Sequence, residues 1–436
     1  MFSDDFRYFL AALHESKISA DVYNCWTMIS SKYPDTRITI GVENETYLSI
    51  PQSLKFNSFD NKAYLKSYYS TDSLLCLNSN LMKKMSLEGT IKLNIDYSIF
   101  LDTNLAIYIN NFVQRNPLVK NPSKNLIWRT IVEAIEHLLN FDLDYNYSYY
   151  ILENTKLIFP VYESYKNSNC KPQEFWKQLN PNFKNNLISS ILFASIDRQA
   201  YRSSPSLKFR LTKEEAETEA IKIVYDTYFG KYADIPVKFM TLFNNVYLHL
   251  IKTFQIHFAS NKSPKNKLLQ LLDYMHNYLG FIMARESIIA FKLFDRKNRF
   301  RIFNPINKKH WEKDQLEYKL RNITWDLMIP RFVETYLANL ENYDLFLPYF
   351  LTFDEGLNHI LDLYPVRGIV YEAKSHQITP ISDIDICSIL KPEEQEKYFS
   401  KSAIQERQAR KIDINSDEFA KLIETELNKL FSILTI

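Results

Sequence analysis

Only six glycines occur in this 436-residue chain, at positions 41, 89, 230, 280, 356 and 368, and no two of them are close. A loop that cradles phosphate needs clustered glycines, so that successive backbone N–H groups can approach the ligand without a Cβ in the way. That spacing excludes a P-loop, a Rossmann dinucleotide fingerprint and a kinase glycine loop. The chain must do its chemistry with side chains.

Composition removes several further classes. Net charge is +2, so no global field points to nucleic acid or anionic lipid, and a polyanion site would be a local patch. Cys25, Cys76, Cys170 and Cys387 are far apart and form no Cys-x-x-Cys pair, which argues against structural zinc and a disulfide framework. The eight histidines form no HExxH, and there is no Gly-x-Ser-x-Gly elbow. The opening MFSDDFRYFLAALHESK lacks a signal peptide's basic head and apolar run, and no apolar stretch is long enough to span a bilayer. The expectation is a cytoplasmic chain with no membrane partner.

Periodicity divides the chain. Residues 1–95 mix a helical start with alternating segments such as TRITIGVENETYLSI and GTIKLNI, an α/β accessory region. IDYSIFLDTNLAIYI (95–109) reads as a buried strand running into a helix, and LIWRTIVEAIEHLLNF (126–141) has helical spacing. Residues 141–269 read as a mostly helical insertion. The stretch 268–294 reads as two helices about Gly280, and 314–340 as a helix that Pro330 kinks or breaks. LFLPYFLTFDEGLNHILDLY (345–364) is a buried strand and then a helix, and VRGIVYEA (366–373) another strand. Residues 373–436 form a C-terminal helical region, the expected place for two copies to pair.

Four acids stand beside apolar runs in this order: SIFLDTNL, ARESIIA, ITWDLMI and FLTFDEGL, carrying Asp102, Glu286, Asp326 and Asp354. Carboxylates gathered in one cleft repel one another and lose hydration, an arrangement that a divalent cation stabilises. Each acid taken singly also fits a plain helix cap or a solvated face.

These segments resemble the PIN-domain nucleases. FLDTN is similar to that family's first strand end, with its Asp-Thr-Asn motif. ITWDLMIPRF resembles its later acid at a helix start, and FLTFDEGL its Thr-x-Asp element. The resemblance covers 96–140 and 270–372 and implies an α/β, three-layer domain with a short parallel sheet. It makes Asp102, Asp326 and Asp354 metal-site carboxylates, with Asn104 orienting Asp102 and Thr352 a polar neighbour. For the second acid Glu286 is favoured, because Arg285-Glu286 interrupts an apolar helix, with Glu136 and Glu133 as the alternatives. Hard oxygen ligands select Mg²⁺ or Mn²⁺ for hydrolysis of a phosphodiester, RNA ahead of DNA. Family analogy adds a toxin or anti-phage role restrained by a protein inhibitor.

A second signal is FKLFDRKNRFRIFNPINKKHW. Lys292, Arg296, Lys297, Arg299, Arg301, Lys308 and Lys309 interleave there with Phe294, Phe300, Phe303 and Trp311. Such a pattern serves a single-stranded nucleic-acid groove, or else a solvated β-hairpin whose rings face the core. DLDYNYSYYILE (142–153) places Asp142, Asp144, Asn146 and Glu153 at calcium-loop positions. Tyr147, however, stands where that loop needs glycine, which leaves Glu153 a structural residue. The rival to a nuclease is a non-catalytic helical interaction protein.

Overall fold

The structure is a computed structural model describing residues 4–43, 50–54, 58–59, 63–88, 93–115, 126–141, 143, 145–204, 206–295, 300–307, 310–337, 344–372, 377–410 and 417–435. It is a helix-rich mixed α/β protein with two principal sheets. The strands are β1 (Thr36–Gly41), β2 (Ser58–Phe59), β3 (Ala63–Ser67), β4 (Leu74–Leu77), β5 (Ile95–Asp96), β6 (Ile99–Leu101), β7 (Tyr145–Asn146), β8 (Leu345–Phe346), β9 (Tyr349–Thr352), β10 (Val366–Glu372) and β11 (Gln377–Ser382).

The sheet that matters for the site runs β2-β3-β9-β6-β7. β9, β6 and β7 are parallel, while β3 and β2 extend the sheet antiparallel. The parallel part is therefore short, and the sheet as a whole is mixed. Ile99, Phe100 and Leu101 are all buried, as befits a strand covered on both faces. The helix Lys313–Leu337 covers one of those faces. Phe332 and Tyr336 set their rings edge-on to Phe100, with centroids 5.1 and 5.4 Å away. Helices Thr103–Val113, Leu126–Asn140 and Glu355–Leu363 also pack on this sheet.

The second sheet, β11-β10-β1-β4, is antiparallel throughout. Helices Asp4–Glu15 and Ser19–Ser30 lie on it through Phe6, Phe9, Leu13, Val22 and Ile29. The strands of residues 1–95, expected as an accessory unit, are thus divided: β1 and β4 join β10, and β2 and β3 join β9. Gly368 follows from close packing, since a Cβ there would lie 2.5 Å from the Thr39 carbonyl oxygen.

The helical segment after β7 shares one continuous apolar core with the first sheet. Gly280 (φ 72°) ends the π-helical turn Met275–Leu279 and separates Pro264–Tyr274 from Ala284–Phe294, as the sequence predicts. Pro330, by contrast, does not end a helix; Lys313–Leu337 runs through it. Pro330 has no N–H to offer the carbonyl of Asp326 four residues earlier, and dense aromatic packing around Phe332 holds the helix through the defect. Among the described residues, no helix is long and apolar enough to cross a membrane.

Candidate active site

Two of the four sequence-predicted acids end adjacent parallel strands. Leu101 of β6 pairs with Leu351 of β9, so the next residue of each strand, Asp102 and Thr352, emerges at the same sheet edge. The Thr352 hydroxyl donates to Asp102 Oδ2 at 2.8 Å. Asp102 also caps the helix Thr103–Val113, accepting from the Leu105 N–H at 2.6 Å. β9 repeats the plan. Asp354 accepts from the Gly356 N–H at 2.6 Å and opens the helix Glu355–Leu363, while its own N–H donates to the Thr352 hydroxyl at 3.0 Å. Strand ends and helix N-termini place both carboxylates where an open α/β sheet carries its ligands.

Asp326 reaches the same place from the covering helix. Burial pushes its carboxyl well above the usual range, and the next causes are Asp354, Glu153 and Asp102. Asp102 is buried too, which raises it to about 7 against the two hydrogen bonds that lower it; Glu153 and Asp354 add to the rise. The charges of Glu153 and Asp354 thus bear on both Asp102 and Asp326.

Glu153 is the member that the sequence reading missed. It ends the short helix Ser148–Glu153, which follows β7 on the far side of β6. The Thr103 hydroxyl donates to Glu153, beside Asp102 in the chain. The Tyr149 hydroxyl donates to the Trp325 carbonyl at 3.3 Å, beside Asp326. These two contacts draw the helix to both neighbours. Lys156 stands at the rim, 3.6 Å from Glu153, 5.8 Å over the Trp325 ring, and the cation that opposes the rise of Asp326. As for the calcium-loop reading, Asp142 and Asp144 lie outside the described residues; Asn146 is in β7 and Glu153 ends a helix.

The other candidates for the second acid sit elsewhere. Glu286 is buried and gives both oxygens to Arg331, at 3.0 and 2.8 Å. Burial raises its carboxyl, but the Arg331 guanidinium outweighs this and holds it at about 2. Arg285 is buried against Glu334 and over the Tyr364 ring, so it is committed to the interior rather than to a ligand. Tyr68 also donates to Glu334, at 2.7 Å, and the Tyr68 N–H bonds the Pro348 carbonyl ahead of β9. Glu286 thus belongs to a buried ion network toward the opposite end of β9. The polar interruption that singled it out in the sequence is this network. Glu136 accepts from the Tyr201 hydroxyl at 3.1 Å, and Glu133 pairs with Arg129 on the surface. Asn104 is exposed in the first turn of its helix; Thr352 and the Leu105 N–H orient Asp102.

The basic segment divides differently from either expectation. Arg296, Lys297, Arg299, Lys308 and Lys309 lie outside the described residues. Arg301 pairs with Glu355, and Phe294, Phe303 and Trp311 are buried in the core, so these rings offer no stacking surface.

Among the described residues, no group of three or more His, Cys, Asp or Glu side chains is placed to hold a metal ion as it stands. The donor set is nonetheless of the hard, all-oxygen kind that suits Mg²⁺ or Mn²⁺, and the upward shifts of Asp102 and Asp326 come first from burial, with the neighbouring carboxylates adding to them. No family model matches the chain, and neither the curated proteins nor the solved structures contain a match.

Proposed function

We propose that this chain is a divalent-metal-dependent nuclease of PIN-like design, acting on RNA ahead of DNA. What supports the reading is the placement of Asp102 and Asp354 at the shared C-terminal end of β6 and β9, with Glu153 and Asp326 near enough for their charges to be felt there. Asp102, Asp326, Asp354 and Glu153 would hold Mg²⁺ or Mn²⁺. A cation so held supplies a water of lowered pKa and stabilises charge on a phosphodiester under in-line attack.

The protein's own part is positional. Thr352 and the Leu105 N–H fix the Asp102 carboxylate, Gly356 fixes Asp354, and Thr103 fixes Glu153. Lys156 offsets excess negative charge at the rim, where it can face a phosphate.

The test is cleavage of labelled single-stranded RNA and DNA with Mg²⁺ or Mn²⁺, comparing wild type with Asp102→Asn. The expected result is metal-dependent cutting of RNA by wild type and loss of at least about a hundredfold in the variant. A folded wild type that cuts neither polymer would overturn the proposal.

A pH dependence follows with a definite sign. Asp102 keeps its proton up to about pH 7, and a cation must displace that proton to bind. Apparent Mn²⁺ affinity should therefore rise from pH 6 to pH 8 with proton release, measurable by calorimetry in two buffers of different ionisation enthalpy. Affinity that is flat over that window would contradict it.

A further inference from the structure

Three rings flank the acidic cluster. Tyr108 lies on the helix that Asp102 caps, Phe353 stands between Thr352 and Asp354, and Trp128 lies on the helix Leu126–Asn140. Tyr108 meets Phe353 at 5.1 Å and Trp128 at 5.7 Å, both edge-on. All three are half-buried and pack against the core. Beside them Ile127 is 57% exposed.

We infer that Tyr108, Trp128 and Phe353 form a stacking platform for an unpaired nucleobase next to the scissile phosphate, so that the substrate is single-stranded nucleic acid. The inference rests on the nuclease reading of the adjacent carboxylates. Two features favour this occupant. The chain sequence Thr352-Phe353-Asp354, with the Asp354 N–H bonded to the Thr352 hydroxyl, ties one ring to the residue that would hold the phosphate-binding ion. Every base has a π-face, so half-exposed rings accept any unpaired base, whereas bases stacked in a duplex are closed to them. The stacking role that the sequence suggested for Phe294, Phe303 and Trp311 falls instead to these rings, since those three are buried.

Trp128 also provides the readout. Trp26, Trp176, Trp311 and Trp325 are all buried, which leaves Trp128 as the half-exposed indole among the described residues. The experiment is fluorescence and anisotropy titration of the full wild-type chain, with Ca²⁺ in place of Mn²⁺ to suppress cutting, using a labelled single-stranded 12-mer and the same strand in duplex. Cleavage with Mn²⁺ is measured in parallel.

The expected result is indole quenching by the single strand and not by the duplex. Trp128→Phe should lose the quench and keep affinity, and so shows that the site is folded. Trp128→Ala with Tyr108→Leu should weaken single-strand binding roughly five- to hundredfold. An abasic residue beside the cut site should cost the wild type a similar factor and the double variant nothing more. Metal-dependent cleavage that ignores both ring substitutions would overturn the platform alone. No metal-dependent binding or cleavage of any strand would overturn the platform and the nuclease reading together.

Discussion

Asp326→Asn is expected to stabilise the metal-free protein at pH 8 while abolishing cleavage. The Asp326 carboxyl is held well above its ordinary range, first by burial and then by Asp354, Glu153 and Asp102. Below the unfolded value both states carry the proton and it has no effect. As pH rises through the carboxylate range the unfolded chain gives up its proton while the folded chain keeps it, so this group lowers stability increasingly until its folded pKa is passed. Asn keeps the size and removes the charge. The gain should be present at pH 8 and vanish near pH 4, as read by denaturant unfolding at both pH values. Mg²⁺ should raise the wild-type midpoint at pH 8 and leave the variant unmoved. A variant less stable than wild type at pH 8 would mean that Asp326 is an ordinary paired acid. Function would then have to be sought away from this cluster.

The second large effect has the opposite sign. Glu286→Gln should destabilise the fold by about 1.5–3 kcal/mol, because it removes the buried carboxylate that binds the partly exposed Arg331 guanidinium with both oxygens. Glu286 is held at about 2 in the folded state, so its contribution is fully present above its ordinary value of 4.5 and is lost as pH falls through about 2. The gap between wild type and variant should therefore narrow on acidification over that window. Cleavage per folded molecule should not change. Loss of cleavage with the fold intact would return Glu286 to the site.

Much of the site's frame was legible in the chain. A short apolar run followed by Asp is the local signature of a buried strand feeding a helix, and Asp102 and Asp354 both fit it. Asp326 shows as an acid in an apolar helical stretch. Glu153 carries no such signal. Its helix is a short one, Ser148–Glu153, and β7 beside it only two residues long, too brief for any periodicity to show. What brings it to the site is tertiary: the parallel pairing of β7 with β6, the Thr103 hydroxyl and the Tyr149–Trp325 bond. Glu286 misled for a related reason, since a buried salt bridge and a metal ligand both appear in sequence as a charge within an apolar helix. The division of β1–β4 between two sheets was equally hidden, because β1 and β3 find β10 and β9 some three hundred residues away. Pro330 signalled a break that the ring packing around Phe332 overrides.

The most direct test is Mn²⁺ binding at pH 7.5 by wild type, Glu153→Gln and Glu286→Gln, followed by calorimetry or by the loss of the free-ion EPR signal. Wild type should bind, Glu153→Gln should bind at least about tenfold more weakly, and Glu286→Gln should bind as wild type does wherever it is folded. A folded wild type that takes up no Mn²⁺, or binding that depends on Glu286 and not on Glu153, would contradict a metal site built from Asp102, Glu153, Asp326 and Asp354.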